Sequence, residues 1–330
     1  MEINLNLIQE IHSYLSSDIQ AMNEIIVDSL SVEEELIKVI STHLSTTGGK
    51  RMRPILTVLS AKMLGYEGSQ SIKLAAAVEF IHMATLLHDD VVDGSRMRRF
   101  LPTANVVWGS KASILVGDFL FSQSFKLIVS TKIIPALLAL SNASAIIAEG
   151  EVSQLVKLEQ KRIVGEEEYL KVINAKTAEL FGTACEVGGI VAGREDLAPN
   201  LKNFGLCLGN IFQIADDALD YFSDSSKVGK NVGDDFFEGK ITLPIILLTR
   251  KISDKENNRL RKMIEAQERS EADFNWIKLI MNEHEIQTDI KTYLDALRLN
   301  ALNSLAEINV KNKPKEYLER LVDFAINRSY

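Results

Sequence analysis

Asp89-Asp90-Val91-Val92-Asp93 and Asp216-Asp217-Ala218-Leu219-Asp220 are two aspartate clusters of one form, far apart in a chain otherwise patterned for helices. In a helix, each cluster sets carboxylates at i and i+4, one above the other on one face. Like charges so placed repel, and a fold that keeps both clusters calls for a cation. Hard carboxylate oxygens suit Mg²⁺, which takes one or two protein carboxylates and fills its other positions with water and substrate phosphates. The chemistry implied is two acidic patches facing across a cavity, with magnesium and a diphosphate between them.

Acidic runs are more often solvated helix faces, but the flanks argue against that here. His82-Met83-Ala84-Thr85-Leu86-Leu87-His88 and Gly209-Asn210-Ile211-Phe212-Gln213-Ile214-Ala215 are mostly uncharged. Carboxylates that end apolar helices are partly buried, and their burial has to be offset by positive charge. Such charge is available. Lys50, Arg51 and Arg53 fall at a loop-to-helix junction, between Gly48-Gly49 and a Pro54 suited to the first helical turn. Arg96, Arg98 and Arg99 follow the first cluster, and Lys230 and Lys240 flank the acidic loop Gly233-Asp234-Asp235. The net charge is −8, so the chain has no general attraction for nucleic acid. Arg and Lys concentrated beside acid clusters point instead to phosphate recognition.

The elements that position these groups read as helices throughout. Prolines number six, and no linker, repeat or low-complexity tract interrupts the chain. Leu74, Ala77, Val78, Ile81, Ala84 and Thr85 form a stripe at helical spacing that runs into Asp89. The expected architecture is all-α, one domain over residues 1–330, with roughly a dozen helices around a central cavity and metal ligands on facing helices. Cys185 and Cys207 have no metal-ligand spacing and read as reduced packing residues. The amino-terminal apolar run is broken by Asn4, Asn6 and Gln9 and does not read as a signal peptide. The most apolar stretch, 133–148, falls short of the roughly 18–20 residues that span a bilayer. A cytoplasmic protein is expected. The segment 250–269, rich in Lys, Arg, Glu and Asn, reads as a solvated helix pair or loop without chemistry.

GGKRMRP, then HMATLLHDDVVD with Arg98-Arg99 downstream, then FQIADDALDYFSD followed by GDD and GKITLP, resembles the trans-polyprenyl diphosphate synthases. The likeness is greatest to the long-chain, octaprenyl-type enzymes of quinone (ubiquinone) biosynthesis. It covers nearly the whole chain from about Lys50, and motif order and spacing together are specific. The family loop usually reads DDVVDES-x₂-RRG-x-PT, whereas this chain has Gly94 and Phe100 at the Glu and Gly positions.

The resemblance implies a homodimeric, Mg²⁺-dependent prenyltransferase that adds isopentenyl diphosphate to an allylic diphosphate such as farnesyl diphosphate. It implies that Asp89, Asp93 and Asp216 hold the metals, with Asp90, Asp217 and Asp220 as further ligands or their supports. Lys176, Lys230 and Arg98 would add charge at the allylic diphosphate, Lys240 would neutralise the same end, and Thr177 and Gln213 would line that site. Lys50, Arg53, Arg99 and His82 would hold the isopentenyl diphosphate, which binds without metal. A lone histidine on an apolar helix is usually a core residue, but His82 lies two turns before Asp89 on nearly the same face. His88 has no such support and reads as structural.

Ala84 and Thr85 are small where short-chain relatives usually carry aromatic rings, so they are expected to line a tunnel for the growing chain, with Ile81, Phe119 and Phe125 at its floor. Small side chains leave room between close-packed helices, and the resemblance then implies a product of about C40, with about C50 next. The runner-up is a short-chain farnesyl or geranylgeranyl synthase. A non-catalytic subunit of a heteromeric synthase would tend to lose an acid cluster or the cations, and a terpene cyclase has no use for the GGKRMRP segment. Release of a long prenyl product is compatible with transient contact with a membrane.

Overall fold

A computed structural model describes residues 2–46, 50–98, 101–159, 163–223, 232–266 and 268–327. The chain is all-α, as expected. In order the helices are α1 (Glu2–Tyr14), α2 (Ser16–Ser29), α3 (Glu35–Thr46), α4 (Met52–Met63), α5 (Gln70–Val92), α6 (Ala104–Trp108), α7 (Ser110–Ser130) and α8 (Ile134–Glu159). They continue as α9 (Glu166–Ile173), a π turn (Asn174–Ala178), α10 (Glu179–Val191), α11 (Ala198–Phe222), α12 (Asp234–Glu238) and α13 (Leu243–Thr249). The chain closes with α14 (Asp254–Glu265), α15 (Glu271–Glu283), α16 (Ile286–Ala306) and α17 (Lys313–Ile326). A small antiparallel ribbon pairs β1 (Met97–Arg98) with β2 (Leu101–Pro102). The division is finer than a dozen helices because α6, α12 and α13 are only 5, 5 and 7 residues long.

The centre of the fold is α5, α10 and α11. Helix α5 is buried nearly all round from Leu74 to Leu87, not along a single stripe, because α4 and α10 pack on it as well as α7. A helix apolar on every side belongs inside a bundle. Helix α10 is buried at almost every position between Glu179 and Val191. Pro54 falls in the first turn of α4, as its fixed φ favours. Both acid clusters come at the carboxyl-terminal ends of their helices, α5 and α11. The helix dipole is negative there, so local structure opposes the charge it is asked to carry.

Two expectations are revised. The segment 250–269 is largely α14, started by Ser253, whose Oγ and backbone N–H exchange hydrogen bonds with Glu256, and anchored by buried Leu260, Met263 and Ile264. Its three core-facing residues are too widely spaced among charges to stand out in composition. The one described helix long and apolar enough to cross a bilayer is α7, not the 133–148 stretch, and 39% of its apolar stretch is buried against its neighbours. Asp118 and Lys126 interrupt α7 in sequence and disguise its apolar content. Cys185 and Cys207 are buried and free, as expected.

Candidate active site

One cavity of about 350 Å³ opens between α4, α5, α9, the π turn, α11 and the loop around α12. Its lining includes Arg53, His82, Thr85, Asp89, Asp93, Arg98, Lys176, Thr177, Gln213, Asp216, Asp217 and Lys240, all expected from sequence. From α5 the cavity takes His82, Thr85, Leu86, Asp89 and Asp93. That is one face read at i, i+3, i+4, i+7 and i+11.

Ala84 falls off this face. It is 1% exposed and belongs to the hydrophobic core, as does Ile81. It stands five positions before Asp89, which at 3.6 residues per turn swings it away from the carboxylate's side. Of the two positions expected to line a tunnel, Thr85 lines this cavity and Ala84 does not. Phe119 packs against the core.

The carboxylates divide by environment. Burial pushes the Asp89 carboxyl up to about 6; Lys176 pulls it back, and Glu151 and Asp93 push it further. Asp90 is 2% exposed and does not line the cavity; Arg98 grips it through Nε at 3.2 Å and Nη2 at 2.8 Å. The structure thus assigns Asp90 to anchoring the loop that carries Arg98, and Arg98 reaches the cavity with two donors already committed. Asp217 accepts from Gln213 Nε2 at 2.7 Å and from the Tyr169 hydroxyl at 2.6 Å. Burial, then Asp235, raises its carboxyl well above the usual range. Asp220 lies off the cavity lining and accepts the backbone N–H groups of Gly233 and Asp235 at 3.2 and 3.1 Å. Burial, with Asp235 next, pushes it to about 7. Among the described residues no three His, Cys, Asp or Glu side chains converge on a point that could hold an ion. A magnesium held by one or two carboxylates needs no such trio. Asp89, Asp93 and Asp216 line one cavity together with cations, and fit that mode of binding.

The cations fall into two groups. Arg53 stacks over Phe181 at 4.5 Å and its Nη1 meets His82 Nε2 at 3.1 Å. Its Nε is buried without a hydrogen-bond partner, and burial holds the guanidinium down at about 10 against the pull of Glu79 and Asp89. Lys50 is exposed, with Nζ 4.7 Å from the Phe324 ring centroid, and is not part of the lining. Lys176 Nζ lies 2.9 Å from Glu151 and 3.7 Å from Asp89. Lys240 Nζ lies 2.7 Å from Glu238 and 3.8 Å from Asp93. Burial opposes both ammonium charges, but the facing carboxylates outweigh it and both pKa values end above the ordinary value. Thr177 donates to Gln213 Oε1 at 2.8 Å, so that amide is oriented from both ends. Arg99, Phe100 and Lys230 lie outside the described residues. His88 meets the Ile114 carbonyl at 3.2 Å, a structural contact as expected.

Sequence reasoning gave no role to Tyr169, Glu151 or Asp235. Asp235 was visible only as part of an acidic loop, and Tyr169 and Glu151 come from helices with no motif linking them to the clusters.

An all-α bundle with one cavity lined by both acid clusters and by several cations is suited to an enzyme that handles diphosphates, and the family match makes it a prenyltransferase. The chain belongs to the polyprenyl synthetase family, whose model matches residues 34–281. It is 38% identical over 328 residues to an octaprenyl diphosphate synthase from Haemophilus influenzae, covering 99% of both chains. It superposes on a decaprenyl diphosphate synthase from Rhodobacter capsulatus with a TM-score of 0.91 at 41% identity, over 97% of this chain and 98% of that one. A polyprenyl synthase from Caulobacter crescentus, solved with calcium and isoprenyl diphosphate, aligns with a TM-score of 0.90 at 40% identity, over 97% and 98%.

Proposed function

We propose that this chain makes long all-trans polyprenyl diphosphates for quinone side chains, of the octaprenyl length for which its relative from Haemophilus influenzae is named. In this reading it joins isopentenyl diphosphate to an allylic primer such as farnesyl diphosphate. The observation that carries the reading is one cavity lined by Asp89, Asp93 and Asp216 together with Arg53, His82, Lys176 and Lys240. Bound Mg²⁺ would supply Lewis-acid charge for departure of the allylic diphosphate, held by Asp89, Asp93 and Asp216.

The chain's own groups do the rest. Lys176 and Lys240, with Lys230 by resemblance, attract the departing diphosphate where its charge grows. Arg53 and His82, with Lys50 and Arg99 by resemblance, fix the isopentenyl diphosphate so that its double bond points at the cation. Thr177 and Gln213 present fixed dipoles beside the reacting carbons. The proton lost at the end can pass to the released pyrophosphate, so no protein base is needed.

A homodimer in the cytoplasm is part of the same reading. Leu115 (68% exposed) on α7 and Leu138 (60%) and Val152 (62%) on α8 are exposed apolar side chains that a second copy would cover. Membrane contact would then be brief and serve product release. Incubation with farnesyl diphosphate, labelled isopentenyl diphosphate and Mg²⁺, followed by chain-length analysis, tests the reading. Products that stop at farnesyl or geranylgeranyl length would overturn it in favour of a short-chain enzyme. Sedimentation of the purified chain as a monomer would refute the dimer.

A further inference from the structure

Lys176 sits in the π turn Asn174–Ala178, an uncommon geometry that often marks functional sites. Its ammonium lies between two carboxylates, 2.9 Å from Glu151 Oε2 and 3.7 Å from Asp89 Oδ2. Glu151 comes from α8 and is not part of the cavity lining. The other oxygen of Glu151, Oε1, is buried without a hydrogen-bond partner. A buried acceptor left unsatisfied is costly, so packing alone gives no reason for a carboxylate there.

The approach of α8 to the π turn is itself built in. A Cβ on Gly150 would stand 2.5 Å from Ala175 Cβ and 3.4 Å from the Lys176 nitrogen. Only glycine lets the two backbones come this close, and that closeness brings Glu151 within reach of Lys176.

We propose that Glu151 is a positioning residue that holds Lys176 off Asp89 and so keeps Asp89 free to bind metal. The proposal rests on the reading of Asp89 as a metal ligand and of Lys176 as a diphosphate-binding cation. Without the Glu151 charge, the ammonium has one strong partner left within reach and closes the 3.7 Å gap to Asp89. The salt bridge then competes with the metal for the same oxygens. With Glu151 present, Lys176 stays at the rim of the metal site, ready to turn towards a phosphate.

The test uses the full chain as Glu151→Gln, Lys176→Met and the double variant. Two titrations with Mg²⁺ are made, one reading binding of inorganic pyrophosphate by calorimetry and the other reading turnover. Glu151→Gln should raise the Mg²⁺ requirement in both by roughly tenfold, as loss of groups that orient metal ligands commonly does. KM for isopentenyl diphosphate should not move, and Glu151→Asp should recover part of the loss. The double variant should need no more Mg²⁺ than Lys176→Met alone, because the interfering ammonium is gone. An unchanged or lowered requirement in Glu151→Gln, or a rise that persists in the double variant, would overturn the proposal. Gly150→Ala should separate α8 from the π turn and raise the requirement in the same way. It decides the matter if Glu151→Gln does not fold, and an unchanged requirement in folded Gly150→Ala counts against the proposal. If Lys176→Met leaves pyrophosphate binding untouched, the diphosphate role of Lys176 fails separately, while the Mg²⁺ titration of Glu151→Gln still reports on Asp89.

Discussion

Replacing Asp89 with asparagine should stabilise the metal-free protein while abolishing its chemistry. Burial is the main cause that moves this carboxyl from 3.8 to about 6; Lys176 opposes it, and Glu151 and Asp93 add to it. A displacement of that size corresponds to about 3 kcal/mol between the two protonation states. The sign follows from linkage. A carboxyl whose folded value is raised contributes stability that is complete below its unfolded value and is lost as pH rises through about 6. At about pH 8 the fold carries the whole penalty, and asparagine, of the same shape and neutral, removes it. With about 2.1 cal/mol/K of unfolding entropy per residue, a chain of this size should gain about 4 °C in Tm. The assay is thermal unfolding in EDTA at about pH 8 and again near pH 4.5, where folded Asp89 is protonated and the gain should shrink to about a third. Turnover with Mg²⁺ should fall by orders of magnitude in the same variant. A loss of Tm at the higher pH, or an equal gain at both, would refute the claim that Asp89 is held charged at a cost the metal offsets.

Arg98→Ala should leave the 2% exposed Asp90 without its guanidinium and destabilise the fold by about 3–5 kcal/mol, measurable by urea unfolding; a change confined to KM for the allylic substrate would show that Asp90 is not the main partner of Arg98. Thr85→Phe should put a ring into the cavity one turn from Asp89 and shorten the product towards farnesyl and geranylgeranyl length, whereas Ala84→Phe should overpack the core and cost about 1–3 kcal/mol. A stable Ala84→Phe variant with short products would instead put Ala84 on the tunnel wall. Gly239→Ala should cost about 1–2 kcal/mol from its left-handed φ of +82° alone. The new Cβ would also stand 2.7 Å from Arg269 Nη2. Lys240 is the next residue, so KM for the allylic substrate should rise with the fall in Tm, and an unchanged KM would show that Lys240 does not depend on this turn.

The sequence alone determined which chemistry was available. Two DDxxD clusters on apolar helices, with Lys and Arg gathered beside them, already required a cation and a phosphate, because charges with uncharged flanks cannot remain unpaired in a fold. Helical periodicity was also legible, since it depends on near neighbours only, and it put His82 and Asp89 on nearly one face. The tertiary structure decided how those groups divide their work. Asp89 and Asp90 are adjacent in the chain, yet about 100° of helix rotation sends one to the cavity and the other to Arg98. The same rotation sends Ala84 into the core while Thr85 faces the site. Glu151, Tyr169 and Asp235 could not be found from sequence because their partners lie far along the chain, and only the packing of α8 and α9 on the π turn, and of α12 on α11, brings them within a few ångströms. Local pattern therefore fixes what a helix can offer, and the crossing of helices fixes which charge meets which.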